Sequence, residues 1–247
     1  MATATRLTRT VYATADAQRA EARPHNPNRN LFKTGDRLPR EEFERRYALM
    51  PHIKKAELIE GMVVMEEHVH YDAHGNPHAR LIGWLTHYAW DTPGVEIADN
   101  ATVRLDDTNE PQPDVMLRVV AGGRSRNDED DYIDGAPELV AEIAASSVRY
   151  DLHAKRDAYA RNGVLEYIVW RTLDGEIDWF ALADGEFHPI PADQNGVIHS
   201  RAFPGLALAT AALVKGDFAT VTAALRDAMA TNAHRAFLAK LQREASA

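Results

Sequence analysis

The apolar positions of this chain switch repeatedly between a helical and a strand-like spacing. Within residues 39–49, Phe43 and Tyr47 stand four apart, which predicts a short helix. Residues 57–65 form an apolar run broken by Glu60-Gly61, the pattern of one strand or of a tight hairpin turning at Gly61. Residues 68–77 are polar and turn-rich. Pro77 suits the first turn of the helix that follows, on which Leu81, Leu85 and Tyr88 share a stripe that His78 extends by one turn. Pro93-Gly94 ends that helix. Residues 95–105 predict one or two strands and residues 114–120 another, its start confined by Pro111 and Pro113. Residues 124–134 are acidic and read as a surface loop. The run Leu139-Val140-Ala141-Glu142-Ile143-Ala144 has the near-continuous apolar character of a central strand buried on both faces. Residues 151–162 predict a helix with Asp151 as N-cap and Gly163 as its stop. Residues 166–171 read as a second buried strand. Asp174-Gly175 and Asp184-Gly185 are hairpin signals that attach return strands at 176–182 and 187–190. From residue 217 the spacing is helical again, with Phe218, Val221, Leu225 and Met229 on one stripe and Phe237, Leu238 and Leu241 on another. The order predicts an α+β or α/β architecture, a mixed β-sheet flanked by helices with a helical C-terminal extension.

Composition narrows the partners. The 247 residues suffice for one large domain with additions or two small ones. A net charge of −9 is the wrong sign for a protein that coats nucleic acid, though it allows an enzyme that meets nucleic acid along one strip. The absence of cysteine removes disulfides and thiolate metal sites and fits a reducing, cytoplasmic setting. No apolar run approaches the ~18 residues needed to span a bilayer, and the first residues lack an apolar signal core. Residues 1–30 show no sustained period and carry Arg6, Arg9, Arg19, Arg23 and Arg29, which predicts a flexible basic arm. The expected organisation is this arm, a domain over 31–215 and an amphipathic C-terminal helix over 216–247, which packs on the core or on a second copy as a homodimer.

Three residues carry the candidate chemistry. Glu142 interrupts a run otherwise made of Leu, Val, Ala and Ile, and a carboxylate there needs a cation, a donor or a proton. On the next helix Lys155 lies three after Leu152 and four before Tyr159, on the core-facing stripe. It either snorkels to water or points at an acid on the sheet. Asp114 supplies a second acid in the one strand register that puts it on the face of Glu142. Two carboxylates suit Mg²⁺, or Mn²⁺, which takes the same hard oxygen ligands, and a nearby ammonium suits phosphoryl chemistry. The competing reading is a buried Glu–Lys pair with Asp114 capping a turn.

Pro113-Asp114, Glu142 and Lys155 together resemble the PD-(D/E)XK nuclease superfamily. More closely, the chain resembles the Uma family of restriction-endonuclease-like proteins, through Glu57-Leu58-Ile59-Glu60-Gly61, Pro113-Asp114-Val115, residues 136–143, Ser146-Ser147, residues 151–155, Tyr159 and residues 162–167. The resemblance spans about residues 40–190. It implies a restriction-endonuclease-like fold, a magnesium-dependent endonuclease, a hydrolase cutting phosphodiester bonds of DNA, and Asp114 and Glu142 as metal ligands beside the catalytic Lys155. Two positions depart from the pattern. The superfamily lysine two after the second acid is here Ala144, its role passing to Lys155 on the helix, and Ala145-Ser146-Ser147 stands for a Ser-Pro-Ser. The other reading is a catalytically inactive module on the same fold that binds nucleic acid or protein.

Glu57, ahead of Glu60, is the candidate for a third metal-ligating carboxylate, although either reads first as a solvated strand residue. His78 reads first as a satisfied core histidine, and His68, His70, His74 and His78 as a His-rich loop rather than a zinc site. Trp84, Trp90, Trp170 and Trp179 read as core and sheet-face residues. No element stands out as a base reader, so DNA is the expected substrate with RNA left open.

Overall fold

The two central apolar runs become neighbouring strands of a six-stranded mixed sheet. A computed structural model describes residues 30–65, 70–145 and 151–246. The arm over residues 1–29, His68, Ser146-Ser147 and the side chain of Asp151 lie outside the described residues, as do the expectations attached to them.

Helix α1 (Arg40–Tyr47) buries Phe43, and strands β1 (Ala56–Ile59) and β2 (Met62–Met65) follow as a hairpin. Its two-residue turn has positive φ at both Glu60 (53°) and Gly61 (68°), the twist that matches paired strands. Tyr71–Gly75 makes a wide π turn that leads into α2 (Asn76–Trp90), with Pro77 in its first turn. Strands β3 (Val95–Asp99), β4 (Val103–Arg104) and β5 (Val115–Val119) come next.

The segment at 124–134, expected as a loop, contains two short strands. These are β6 (Arg126–Asn127) and β7 (Ile133–Asp134), and they form a small sheet with β4. Arg104 explains this order: its guanidinium binds Glu44 at 3.0 Å, Asp128 at 2.5 Å and Asp130 at 2.9 Å. A cluster of acids that would repel in an open loop is thereby tied to β4.

Strand β8 (Leu139–Ala144) is followed by a second π turn (Asp151–Lys155) and α3 (Arg156–Asn162). Gly163 stops α3 in the left-handed conformation at φ 83°, as its position predicts. Strands β9 (Glu166–Arg171), β10 (Glu176–Ala183) and β11 (Glu186–Pro189) form successive hairpins. The sheet order is β11-β10-β9-β8-β5-β3, with β8 parallel to β9 and antiparallel to β5. Strands β12 (Val197–His199) and β13 (Ala207–Ala209) pair separately. Helices α4 (Thr210–Lys215), α5 (Phe218–Met229) and α6 (Asn232–Ala245) close the chain.

Side-chain alternation sorts the sheet into two faces. Val115, Leu117, Leu139, Ala141, Ile143, Ile168 and Trp170 join one core with Leu81, Leu85 and Tyr88 of α2. Val221 and Leu225 of α5 and Phe237 and Leu241 of α6 belong to the same core, while Phe218 at the start of the first C-terminal stripe is 50% exposed. Met116, Val140, Ala144, Tyr167 and Val169 face the other way, against Tyr159 of α3. Trp84, Trp170 and Trp179 are buried as expected, but Trp90, the last residue of α2, is 80% exposed. Among the described residues no helix is long and apolar enough to cross a membrane.

Two further buried acids have purely architectural partners. Glu138 accepts from the Val119 and Arg124 backbone N–H groups at 2.8 and 2.9 Å. Glu166 accepts from Trp179 Nε1, Ser200 Oγ and Ala202 N within 3.0 Å, tying β9 to the loop before β13.

Candidate active site

The register between β5 and β8 brings the two acids together. Val115 pairs with Ala141 and Met116 with Val140. One step further along that register Asp114 stands opposite Glu142, on the same face of the sheet. Asp114 Oδ2 also accepts the Ile143 backbone N–H at 2.7 Å, which fixes the carboxylate against β8.

Lys155 meets Glu142 from the helix side. Its Nζ lies 3.0 Å from Glu142 Oε1 and 2.9 Å from Glu57 Oε2. The Tyr159 hydroxyl, one turn further along the helix, donates to the same Glu142 oxygen at 2.9 Å. Glu57 is not the solvated strand residue that its position allowed. It is buried on β1, and its Oε1 accepts the Gln112 backbone N–H at 2.8 Å. Glu57, Asp114, Glu142 and Lys155 are each 3% exposed or less. Glu60 lies at the turn, exposed and ion-paired with Arg161.

Ala144 is fully buried two residues beyond Glu142, on the same face. The ammonium beside Glu142 and Glu57 therefore comes from the segment leading into α3.

Two groups that carried no role in the sequence reading belong to the cluster. Lys55, just before β1, places Nζ 3.0 Å from Asp114 Oδ1. His74, inside the first π turn, places Nε2 3.3 Å from Asp114 Oδ2. His78 meets it edge-on, the ring centres 5.4 Å apart, and its Nε2 lies 2.8 Å from the Asp114 carbonyl oxygen and 3.1 Å from Asp99 Oδ1. His78 thus belongs to the rim of the site rather than to the core, and His70 is exposed. Lys55 was legible in part: Lys55 and Glu57 are two apart on an extended segment and so share a face. The placement of His74 depends on the wide π turn, which has no periodic signature.

The electrostatics follow from burial and these pairings. Burial pushes the Asp114 carboxyl up, but the His74 hydrogen bond and the Lys55 ammonium outweigh it and hold it well below the usual carboxylate range. Burial works against charge on Lys55, yet Asp114, Glu57 and Glu142 together hold its ammonium above the ordinary lysine value. Burial, then the Glu142 charge, raises the Tyr159 phenol far enough that it stays a donor.

The donor chemistry fits a hard divalent cation. Among the described residues three carboxylates face two ammonium groups, a mainly oxygen ligand set with the His74 and His78 imidazoles at its edge. No group of three His, Asp or Glu side chains among the described residues stands at metal-holding spacing, because Lys155 bridges Glu57 and Glu142 and Lys55 covers Asp114. A cation binding here would have to displace an ammonium from at least one acid.

One neighbouring acid has a different character. Glu110 pairs its backbone with Leu58, next to Glu57, at 2.7 and 3.1 Å. It is buried, and its Oε2 has no hydrogen-bond partner among the described residues. Burial, and then the facing Glu44 carboxyl, pushes Glu110 up from 4.5 to about 9. The folded chain therefore keeps a proton that the unfolded chain has lost. Stability falls as pH rises from 4.5 through about 9. Glu110→Gln stays neutral and removes this slope. In thermal melts the variant is expected to match wild type near pH 4.5 and to melt several degrees higher at pH 9. No gain at pH 9 would contradict the raised Glu110 carboxyl.

The sheet topology, with one acid leading into β5, another on the adjacent β8 and a lysine over them, is that of a restriction-endonuclease-like fold. Residues 40–211 match the model of the family Uma2, described as "Putative restriction endonuclease", and the chain belongs to that family. It is also similar to a solved structure from Anabaena variabilis ATCC 29413, described as a "putative nuclease belonging to DUF820". That likeness has a TM-score of 0.54 at 11% identity and covers 69% of this chain and 97% of the other. No curated protein matches the chain.

Proposed function

We propose that this protein is a divalent-metal-dependent endonuclease that hydrolyses phosphodiester bonds of DNA. The observation that supports it most is the convergence of Asp114, Glu142, Glu57 and Lys155 in one buried cluster at the centre of the sheet. Asp114, Glu142 and Glu57 would hold Mg²⁺ or Mn²⁺. When bound, such an ion supplies positive charge for the phosphoryl oxygens and makes a water more acidic.

The residues of the chain supply the order around it. The Ile143 N–H orients Asp114, and the Gln112 N–H orients Glu57. The Tyr159 hydroxyl and the Lys155 ammonium fix Glu142 on one oxygen, so its carboxylate does not rotate freely. The His74 ring leans on Asp114 at the solvent side, where it can hold or pass a proton at Nε2. A homodimer would bring one such centre to each strand of a duplex.

Supercoiled plasmid tests this. Nicking that requires Mg²⁺ or Mn²⁺ and stops with a chelator is the expected result. A second reading, a module that binds without cutting, is favoured by the ammonium groups that now cover the acids. Duplex binding with no metal-dependent nicking would leave that reading standing and remove the first.

A further inference from the structure

The two lysines of the cluster are not equivalent. Lys155 belongs to a dry half with Glu57, Glu142 and Tyr159. Its ammonium contacts two carboxylates, and its side chain is 3% exposed. Lys55 belongs to a wetter half around Asp114, with His74 and His78. Its side chain is 13% exposed, that of His74 17% and that of His78 13%.

A phosphodiester arrives from solvent as an anion and first meets groups at that boundary. Withdrawing Lys155 to meet it would take the shared cation from two buried acids, leaving the Tyr159 hydroxyl on Glu142 and the Gln112 N–H on Glu57, a costly state for two buried charges. Lys55 stands just ahead of β1 on a long flexible stem, and turning outward it leaves Asp114, the acid nearest to it, in contact with His74 and the Ile143 N–H.

Resting on the nuclease reading, we propose that Lys55, and not Lys155, is the ammonium that touches the scissile phosphate, while Lys155 is the internal counter-ion that positions Glu57 and Glu142. Lys55 then fills the role for which the position at Ala144 offers no side chain, and it does so from the strand side of the site rather than from the helix.

The test is the salt dependence of binding to a labelled DNA duplex of mixed sequence, followed by anisotropy in chelator, so that no cleavage intervenes. Each phosphate contact contributes about 0.9 to the slope of log K against log salt. Lys55→Gln is expected to make the slope shallower by about that amount. Lys155→Gln and Lys54→Gln, the latter an exposed neighbour, are expected to leave it unchanged. Should Lys155→Gln fail to fold, Lys55→Gln against Lys54→Gln still decides. An unchanged slope in Lys55→Gln, an equal change in Lys54→Gln, a change in Lys155→Gln, or a wild type that does not bind the duplex overturns the assignment. Metal-dependent plasmid nicking by the same preparation would show that the nuclease reading survives that failure.

Discussion

Asp114→Asn is expected to lose cleavage while the chain stays folded. The amide oxygen can still accept the Ile143 N–H, so the carboxylate's structural bond is replaced in kind. What disappears is the charge that His74 and Lys55 hold ionised, and with it a ligand for a divalent ion. The fall in turnover should exceed the about 10–100-fold that indirect, outer-shell changes cost at metal sites. Melting temperature should fall by several degrees without unfolding the chain, because Lys55 loses its nearest carboxylate but still lies in the field of Glu57 and Glu142. Plasmid nicking beside a thermal melt checks both halves. Near-wild-type turnover would remove Asp114 from the active centre.

Lys155→Met has the opposite signature, a large loss of stability. The methionine fills most of the volume but leaves Glu57 and Glu142 buried without their shared cation. Breaking a buried ion pair by removing one partner costs about 3–5 kcal/mol. For a chain of this size that lowers the melting temperature on the order of 10 °C. Adding Glu57→Gln and Glu142→Gln to Lys155→Met should recover much of the loss, since no unpaired charge then remains. Calorimetric melts of the three proteins decide, and a single variant as stable as wild type would show that the acids are protonated or otherwise paired.

The sequence made the parts of this centre visible to different degrees. Glu142 was conspicuous because a charge interrupts an apolar run, and Lys155 because helical spacing put it on a core stripe; both are where that logic places them. Asp114 could be named but not located, because its face depends on the pairing of Val115 with Ala141, a long-range choice that alternation cannot reveal. Glu57 looked solvated because its burial comes from the segment around Glu110 and Gln112, some fifty residues on. His74 is aimed by an irregular π turn, and Trp90 is exposed because its helix ends there; neither fact has a local pattern. The pairing of β12 with β13 and the short helix α4 lie in a stretch with little alternation, where tertiary contacts with the first core decide the structure.

The central claim is that Glu142 belongs to a metal-holding centre, and it can be tested without knowing the substrate. Mn²⁺ is titrated calorimetrically into wild type and into Glu142→Gln, whose amide oxygen can still accept from Lys155 and Tyr159. The account predicts saturable binding by wild type and its loss, or a fall of at least about tenfold in affinity, in the variant. Equal binding by the two proteins, or none by either, would contradict it and leave the acids and lysines as a buried structural network.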